Sequence, residues 1–270
     1  MTSSSLSPSL STLQSLAGAI DLSTLLETEV RSLYAASQGD AAVFQRYLKR
    51  LTWGDPLPYI TQQLTFRGHT FKIDRRAYIT DPELTYLLDA VLQAIDTFTQ
   101  QQGRSPRVAE FGIGCGSLSI SLKLERPELD LVGIDIDRGA IALAQENLQQ
   151  FGVNIPLIES DFFTSWPYAA PPDIIYGDPP WGESTDLYDE ERSAAYYHAM
   201  PCMSAYPVGG KAAVHAGLLE HIAQRRWPSL LLLNCGVLPQ PSLRELQALT
   251  QTSTVLHPTH HLSILRCTVD

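Results

Sequence analysis

Two clusters in the sequence carry residue types at spacings suited to chemistry. The first is Glu110-Phe111-Gly112-Ile113-Gly114-Cys115-Gly116. Glycines let a turn pass close to a ligand, and a helix that starts just beyond aims its N-terminal N–H groups at it. The spacing is G-x-G-x-G, whereas the turn that accommodates a pyrophosphate reads G-x-G-x-x-G. A carboxylate at Glu110 would repel a pyrophosphate and suits a ligand with a cationic amino-acid tail. S-adenosylmethionine is such a ligand. Asp135, about 20 residues past the loop, is the residue type that takes a ribose diol.

The second cluster is Asp178-Pro179-Pro180-Trp181. Adjacent prolines fix the backbone direction and leave the carbonyls before them without a local partner. One such carbonyl and the Asp178 carboxylate can together accept the two N–H groups of a single nitrogen. The Trp181 ring can stack on a planar group or face a cation. Alone, either cluster also reads as an ordinary Gly-rich or Pro-rich turn. Together with Asp135 they point to methyl transfer onto a nitrogen.

Composition bounds the partners. The chain has 270 residues, 44% of them apolar and 18% charged, with a net charge of −10. Such a balance is ordinary for a soluble globular protein. Affinity for nucleic acid comes largely from neutralising phosphates, so an acidic chain without a large basic patch argues against that substrate. No apolar run approaches the roughly 18 residues of a membrane span. The start, Met1-Thr2-Ser3-Ser4-Ser5, lacks the basic and apolar regions of a signal peptide, and the expected location is the cytoplasm. Cys115, Cys202, Cys235 and Cys267 have no metal-binding spacing, and His260-His261 as neighbours in a strand would face opposite ways, so no metal is expected.

The elements that must hold these clusters follow from periodicity. The first ten or so residues are Ser-rich and read as disordered. Leu13 to Ser37 has helical spacing, with Asp21 or Ser23 as a cap, and a second helix starts after Asp40 and ends at Gly54-Asp55-Pro56. Leu64-Thr65-Phe66 and Thr70-Phe71-Lys72-Ile73 form a hairpin, and Asp81-Pro82-Glu83 opens a helix running through Ile95. Strands are predicted at 107–111, 129–134, 155–158, 174–176, 230–234, 254–257 and 262–269, with helices from Leu118 and over 139–151. This alternation argues an α/β fold with a parallel sheet covered on both faces. The expected division is a helical region over 1–55, a hairpin and linking helix over 56–100, and a catalytic domain over 101–270.

Over about Asp55 to Trp181 the chain resembles the class I methyltransferases, and within them the PrmC/HemK group that methylates glutamine side chains of release factors. The resemblance is carried by Gly54-Asp55-Pro56-Leu57-Pro58-Tyr59-Ile60, by Phe66 to Ile79 with Pro82-Glu83 after it, and by the Gly-rich loop. Gly133-Ile134-Asp135-Ile136-Asp137 and Ser160-Asp161-Phe162-Phe163 extend it. It implies a Rossmann-like, seven-stranded, mostly parallel sheet. It also implies that Glu110, Asp135 and Asp161 hold the cofactor's methionine tail, ribose and base. Gly112, Gly114, Gly116, Ile136, Phe162 and Asp178 complete the expected cofactor contacts.

The departures concern the acceptor. The group has Asn-Pro-Pro-Tyr where this chain has Asp178-Pro179-Pro180-Trp181, and arginine where it has Asp81. The N-terminal region looks shortened, the loop Gly182 to Glu191 is acidic, and His260-His261-Leu262-Ser263 stands in place of an Asp-Arg pattern. Asparagine suits a neutral amide. A carboxylate favours an amine or guanidine with acidic, often cationic N–H groups. The expected reaction is therefore methylation of a small basic metabolite, with a protein glutamine as the alternative acceptor. Asp178, Pro179 and Trp181 are the expected catalytic residues, and Phe66, Trp181, Glu183 and Tyr188 the expected substrate contacts.

Overall fold

The computed structural model describes residues 8–183 and 194–269. Three helices, α1 (Leu10–Ala17), α2 (Glu27–Ala36) and α3 (Ala41–Thr52), open the chain, followed by the short α4 (Leu57–Thr61). The helical run expected over 13–37 is broken in two. Gly18 takes a left-handed φ of 66°, and a single 3-10 turn at Leu22–Thr24 follows, capped by Asp21. Asp40 caps α3 by accepting from Val43 N, as its side chain predicts. These helices share a small core of Leu13, Val30, Leu33, Phe44 and Leu48 that closes at Ile60. Two ties join it to the rest. Asp55 binds Arg50 and Arg75, and the Tyr59 hydroxyl donates to the Ala77 carbonyl at 2.6 Å.

The hairpin β1 (Gln63–Phe66) and β2 (His69–Lys72) turns at Arg67-Gly68, both at positive φ. Helix α5 (Leu84–Gln102) starts later than the sequence suggests. Asp81 accepts from Glu83 N in a turn that leaves Pro82 ahead of the helix. Strands and helices then alternate: β3 (Arg107–Phe111), α6 (Ser117–Glu125), β4 (Asp130–Asp135), α7 (Arg138–Phe151), β5 (Leu157–Glu159) and β6 (Ile174–Gly177). After the short α8 (Ala194–His198) and α9 (Cys202–Ala205) come α10 (Ala213–Gln224), β7 (Leu230–Asn234), α11 (Gln240–Ala248), β8 (Thr252–Leu256) and β9 (Ile264–Thr268).

The seven strands lie in the order β5-β4-β3-β6-β7-β9-β8, with β9 antiparallel to both neighbours and the other pairs parallel. Central strands read as unbroken apolar runs because helices cover both faces. Val108, Ile174, Tyr176 and Leu232 point into one core layer, and Ala109, Ile175, Leu231 and Leu233 into the other. Strand order reverses between β3 and β6, and ligands of open α/β sheets bind beyond the carboxyl ends of strands at such a point.

Candidate active site

A cavity of about 600 Å³ opens at that reversal. Its size is typical of a small-molecule site, for which roughly 300–1,000 Å³ is usual. The ends of β3, β4 and β6 line it with Glu110, Asp135 and Asp178, and Asp161 joins them from the loop after β5. Both sequence clusters therefore open into one space.

Glu110 is buried, 2% exposed. One of its oxygens accepts from Ser119 N at 3.0 Å and from the Tyr176 hydroxyl at 3.3 Å. Burial pushes its pKa up to about 8 against those donors. A buried carboxylate with a raised pKa is poised to gain from a cation placed beside it. Asp135 accepts from Gly114 N and Asp137 N, both at 2.9 Å, which ties the loop tip to the end of β4. Each of its oxygens keeps a lone pair for a hydroxyl. Gly112, Gly114 and Ile136 also line the cavity, with Ile136 half-exposed at its edge. Gly116 does not line it. A Cβ there would press on Ile120 at 3.2 Å, so this glycine serves the packing of α6 against α7. Phe162, at a left-handed φ of 47°, is stacked between Phe111 and His221 and lines the cavity.

At the other end Asp178, Pro179, Pro180 and Trp181 line the same space. Desolvation raises the Asp178 pKa to about 6, offset by hydrogen bonds from Asn234 and Trp181 and reinforced by the charge of Asp81. Asn234 donates to Asp178 Oδ1 at 2.6 Å. Trp181 therefore holds the carboxylate as well as walling the pocket. It lies over Gly236, whose φ is 47° and where any Cβ would run into the indole ring. The segment 76–84 forms the facing wall and contributes Asp81 and Glu83. Glu83 is bonded to Thr259 at 3.0 Å.

Some expected contacts are not made. Phe66 is a core residue of the hairpin, 3% exposed, and does not line the cavity. Its alternation along β1 turns it inward, away from the sheet edge where ligands bind. Glu183 is exposed just beyond the lining residue Gly182, and Tyr188 lies outside the described residues. Asn234 was not anticipated as a site residue, although a polar residue ending the apolar run 230–233 just before Cys235-Gly236 was a readable signal.

The seven-stranded sheet with acids at the ends of β3, β4 and β6 defines the chain as a class I methyltransferase in fold, and its cavity fits S-adenosylmethionine, the cofactor of that class. Within the class it resembles the PrmC/HemK group. Residues 89–193 match the methyltransferase small domain family. A release factor glutamine methyltransferase of Bordetella pertussis is 28% identical over 150 residues, 55% of this chain and 53% of that protein. One from Streptococcus pneumoniae is 32% identical over 149 residues, 52% of this chain and 50% of that protein. The chain thus spans about half the length of the curated relatives it matches. Among solved structures, the T. thermophilus 16S rRNA N2 methyltransferase in complex with AdoMet and guanosine superposes with a TM-score of 0.52 at 19% identity. That match covers 76% of this chain and 49% of the other. Among the described residues no helix is long and apolar enough to cross a membrane.

Proposed function

We propose that this chain is an S-adenosylmethionine-dependent N-methyltransferase whose acceptor is a side-chain amide nitrogen of a protein, held against Asp178 and Trp181. The observation that carries the transfer reaction is the single cavity shared by Glu110, Asp135 and Asp161 at one end and Asp178-Pro179-Pro180-Trp181 at the other. The amide acceptor is favoured over the small basic metabolite expected from Asp178 because the matched relatives are named release factor glutamine methyltransferases.

The cofactor supplies a methyl group already activated by the sulfonium. The protein's share is then alignment and exclusion of water, the effects that dominate when no strong base is needed. Glu110 suits the ammonium of the methionine tail, Asp135 the ribose hydroxyls and Asp161 the base. Asp178 and the carbonyl before Pro179 accept the two N–H groups of the acceptor, which turns its lone pair toward the methyl group. With the cofactor bound, transfer would form the N–C bond as the S–C bond breaks, and the proton released by the nitrogen would pass to the Asp178 carboxylate that holds it.

A second reading keeps the basic acceptor. Asp81, Glu83 and Asp178 all line the acceptor end, and none is ion-paired among the described residues. Such a wall suits a cationic amine or guanidine. Incubation with labelled cofactor, a purified release factor and a panel of amines and guanidines separates the two. Methyl incorporation at glutamine supports the first, and transfer to amines alone supports the second. Asp178→Ala abolishes turnover while S-adenosylhomocysteine still binds; near-normal turnover would refute both.

A further inference from the structure

The end of β7 holds Asp178 from behind. Asn234 Nδ2 donates to Asp178 Oδ1 at 2.6 Å, and Asn234 Oδ1 accepts from Gly236 N at 2.8 Å. The amide orientation is forced, because a backbone N–H only donates and the carboxylate oxygen accepts. The main chain of Asn234 is fixed as well. Its carbonyl accepts from Nε2 of His215, a fully buried residue of α10, at 2.7 Å. A carbonyl cannot donate, so the His215 proton resides on Nε2. Burial keeps the ring neutral, and Nδ1 meets no hydrogen-bonding group among the described residues. An imidazole that leaves one buried nitrogen unsatisfied is poorly suited to mere filling of the core. Its side-chain hydrogen bond, among the described residues, goes to the strand end that carries Asn234.

We propose that Asn234 is a specificity-determining residue of the acceptor site, with His215 as the positioning residue that fixes it. The inference rests on the acceptor nitrogen lying against Asp178. With a donor behind it, residue 178 must present an acceptor, and a carboxylate meets that demand while turning its remaining lone pairs, and its charge, to the substrate. An asparagine at 178 would satisfy Asn234 with its carbonyl and turn its NH2 group to the substrate, where it opposes the acceptor's own N–H groups. With an acid at 234 the polarity inverts: the amide at 178 donates backward and presents a neutral carbonyl forward. The pair 178/234 thereby sets whether the methylated nitrogen meets a carboxylate or a neutral carbonyl as its hydrogen-bond acceptor.

The test is a swap. Asp178→Asn alone loses roughly 10- to 100-fold in kcat/KM, the range for one misplaced hydrogen bond to a charged group. Asp178→Asn combined with Asn234→Asp recovers at least tenfold over the single variant and shifts preference toward amide over amine acceptors. His215→Leu lowers kcat with the Kd for S-adenosylhomocysteine unchanged, and His215→Gln restores part of it. A swap no better than the single variant, with active wild-type enzyme, overturns the proposal and leaves the N-methyltransferase reading intact.

A readout independent of turnover is the carbon NMR titration of the Asp178 carboxyl. Asn234→Ala raises its midpoint above about 6, because the lost donor favours the anion. Asp81 acts on this carboxyl from the wall and Cys235 from β7, while Glu83, Glu110 and His261 line the same cavity, and all are retained in the variant. An unmoved midpoint overturns the proposal whatever the acceptor. Wild-type protein that binds S-adenosylhomocysteine but methylates no nitrogen overturns the underlying reading together with it.

Discussion

Glu110 turns the cofactor end of the cavity into a proton-linked site. Burial raises its pKa to about 8, so the free protein carries that proton at neutral pH. An ammonium placed beside it favours the carboxylate. Binding of S-adenosylhomocysteine at pH 7 therefore releases close to one proton, and affinity falls as pH drops below about 8. Calorimetric titrations at pH 7 in buffers of different ionisation heat measure the release; none detected means that Glu110 does not hold the ammonium. Stability follows the same group. Its folded pKa lies above the ordinary 4.5, so its contribution is fully present below about 4.5 and lost as pH rises through about 8. Glu110→Gln accordingly raises the Tm of the free protein at pH 9 and hardly at pH 4.5. At this scale the sequence was informative about identity and silent about state. The types of Glu110, Asp135 and Asp178 could be read directly. Their donors, Ser119, Tyr176 and Asn234, sit 9, 66 and 56 residues away from Glu110 or Asp178 and become visible only when the strands are side by side.

Among the elements, the turn after β7 most directly shapes the acceptor end. Gly236 at φ 47° lets the Trp181 indole lie flat on the backbone, and a side chain there would collide with the ring. Gly236→Val adds a β-branched residue in a left-handed conformation and expels Trp181 from its place. The expected result is a loss of turnover of about 100-fold or more, in line with a misplaced positioning group. Cofactor affinity should stay within about twofold, since Glu110 and Asp135 lie on other strands. A variant that loses cofactor binding equally would show that the whole sheet edge, not Trp181, had moved; circular dichroism and binding on the same sample decide it. Element types were legible because apolar runs such as 230–233 and capping residues such as Asp40 act locally. What the sequence misjudged was set by tertiary contacts. Asp81 and Pro82 carry helix-start chemistry, yet Asp81 accepts from Glu83 N in a turn and the helix begins two residues later, at Leu84. Phe66 looked available for a ligand until the hairpin packed it against the main core.

For the whole molecule, the net charge of −10 acts together with Asp81, Glu83 and Asp178, acids of the cavity wall that have no ion-pair partner among the described residues. A like-signed chain with a concave acidic entrance steers cations inward and gains nothing for a neutral group. Salt then distinguishes the two acceptor classes without any mutation. The Debye length contracts from roughly 20 Å at about 20 mM to about 7 Å at about 200 mM, which removes steering while leaving buried contacts almost unscreened. For a cationic amine or guanidine acceptor, kcat/KM is expected to fall several-fold over that range with kcat nearly constant. A neutral amide in a short uncharged peptide changes little in either parameter. The comparison is made on initial rates with labelled cofactor at saturating concentration, so that cofactor binding does not contribute. Salt-independent kcat/KM with an amine acceptor would show that the acidic mouth is a solvated surface, and the specificity would then reside in the 178/234 pair alone.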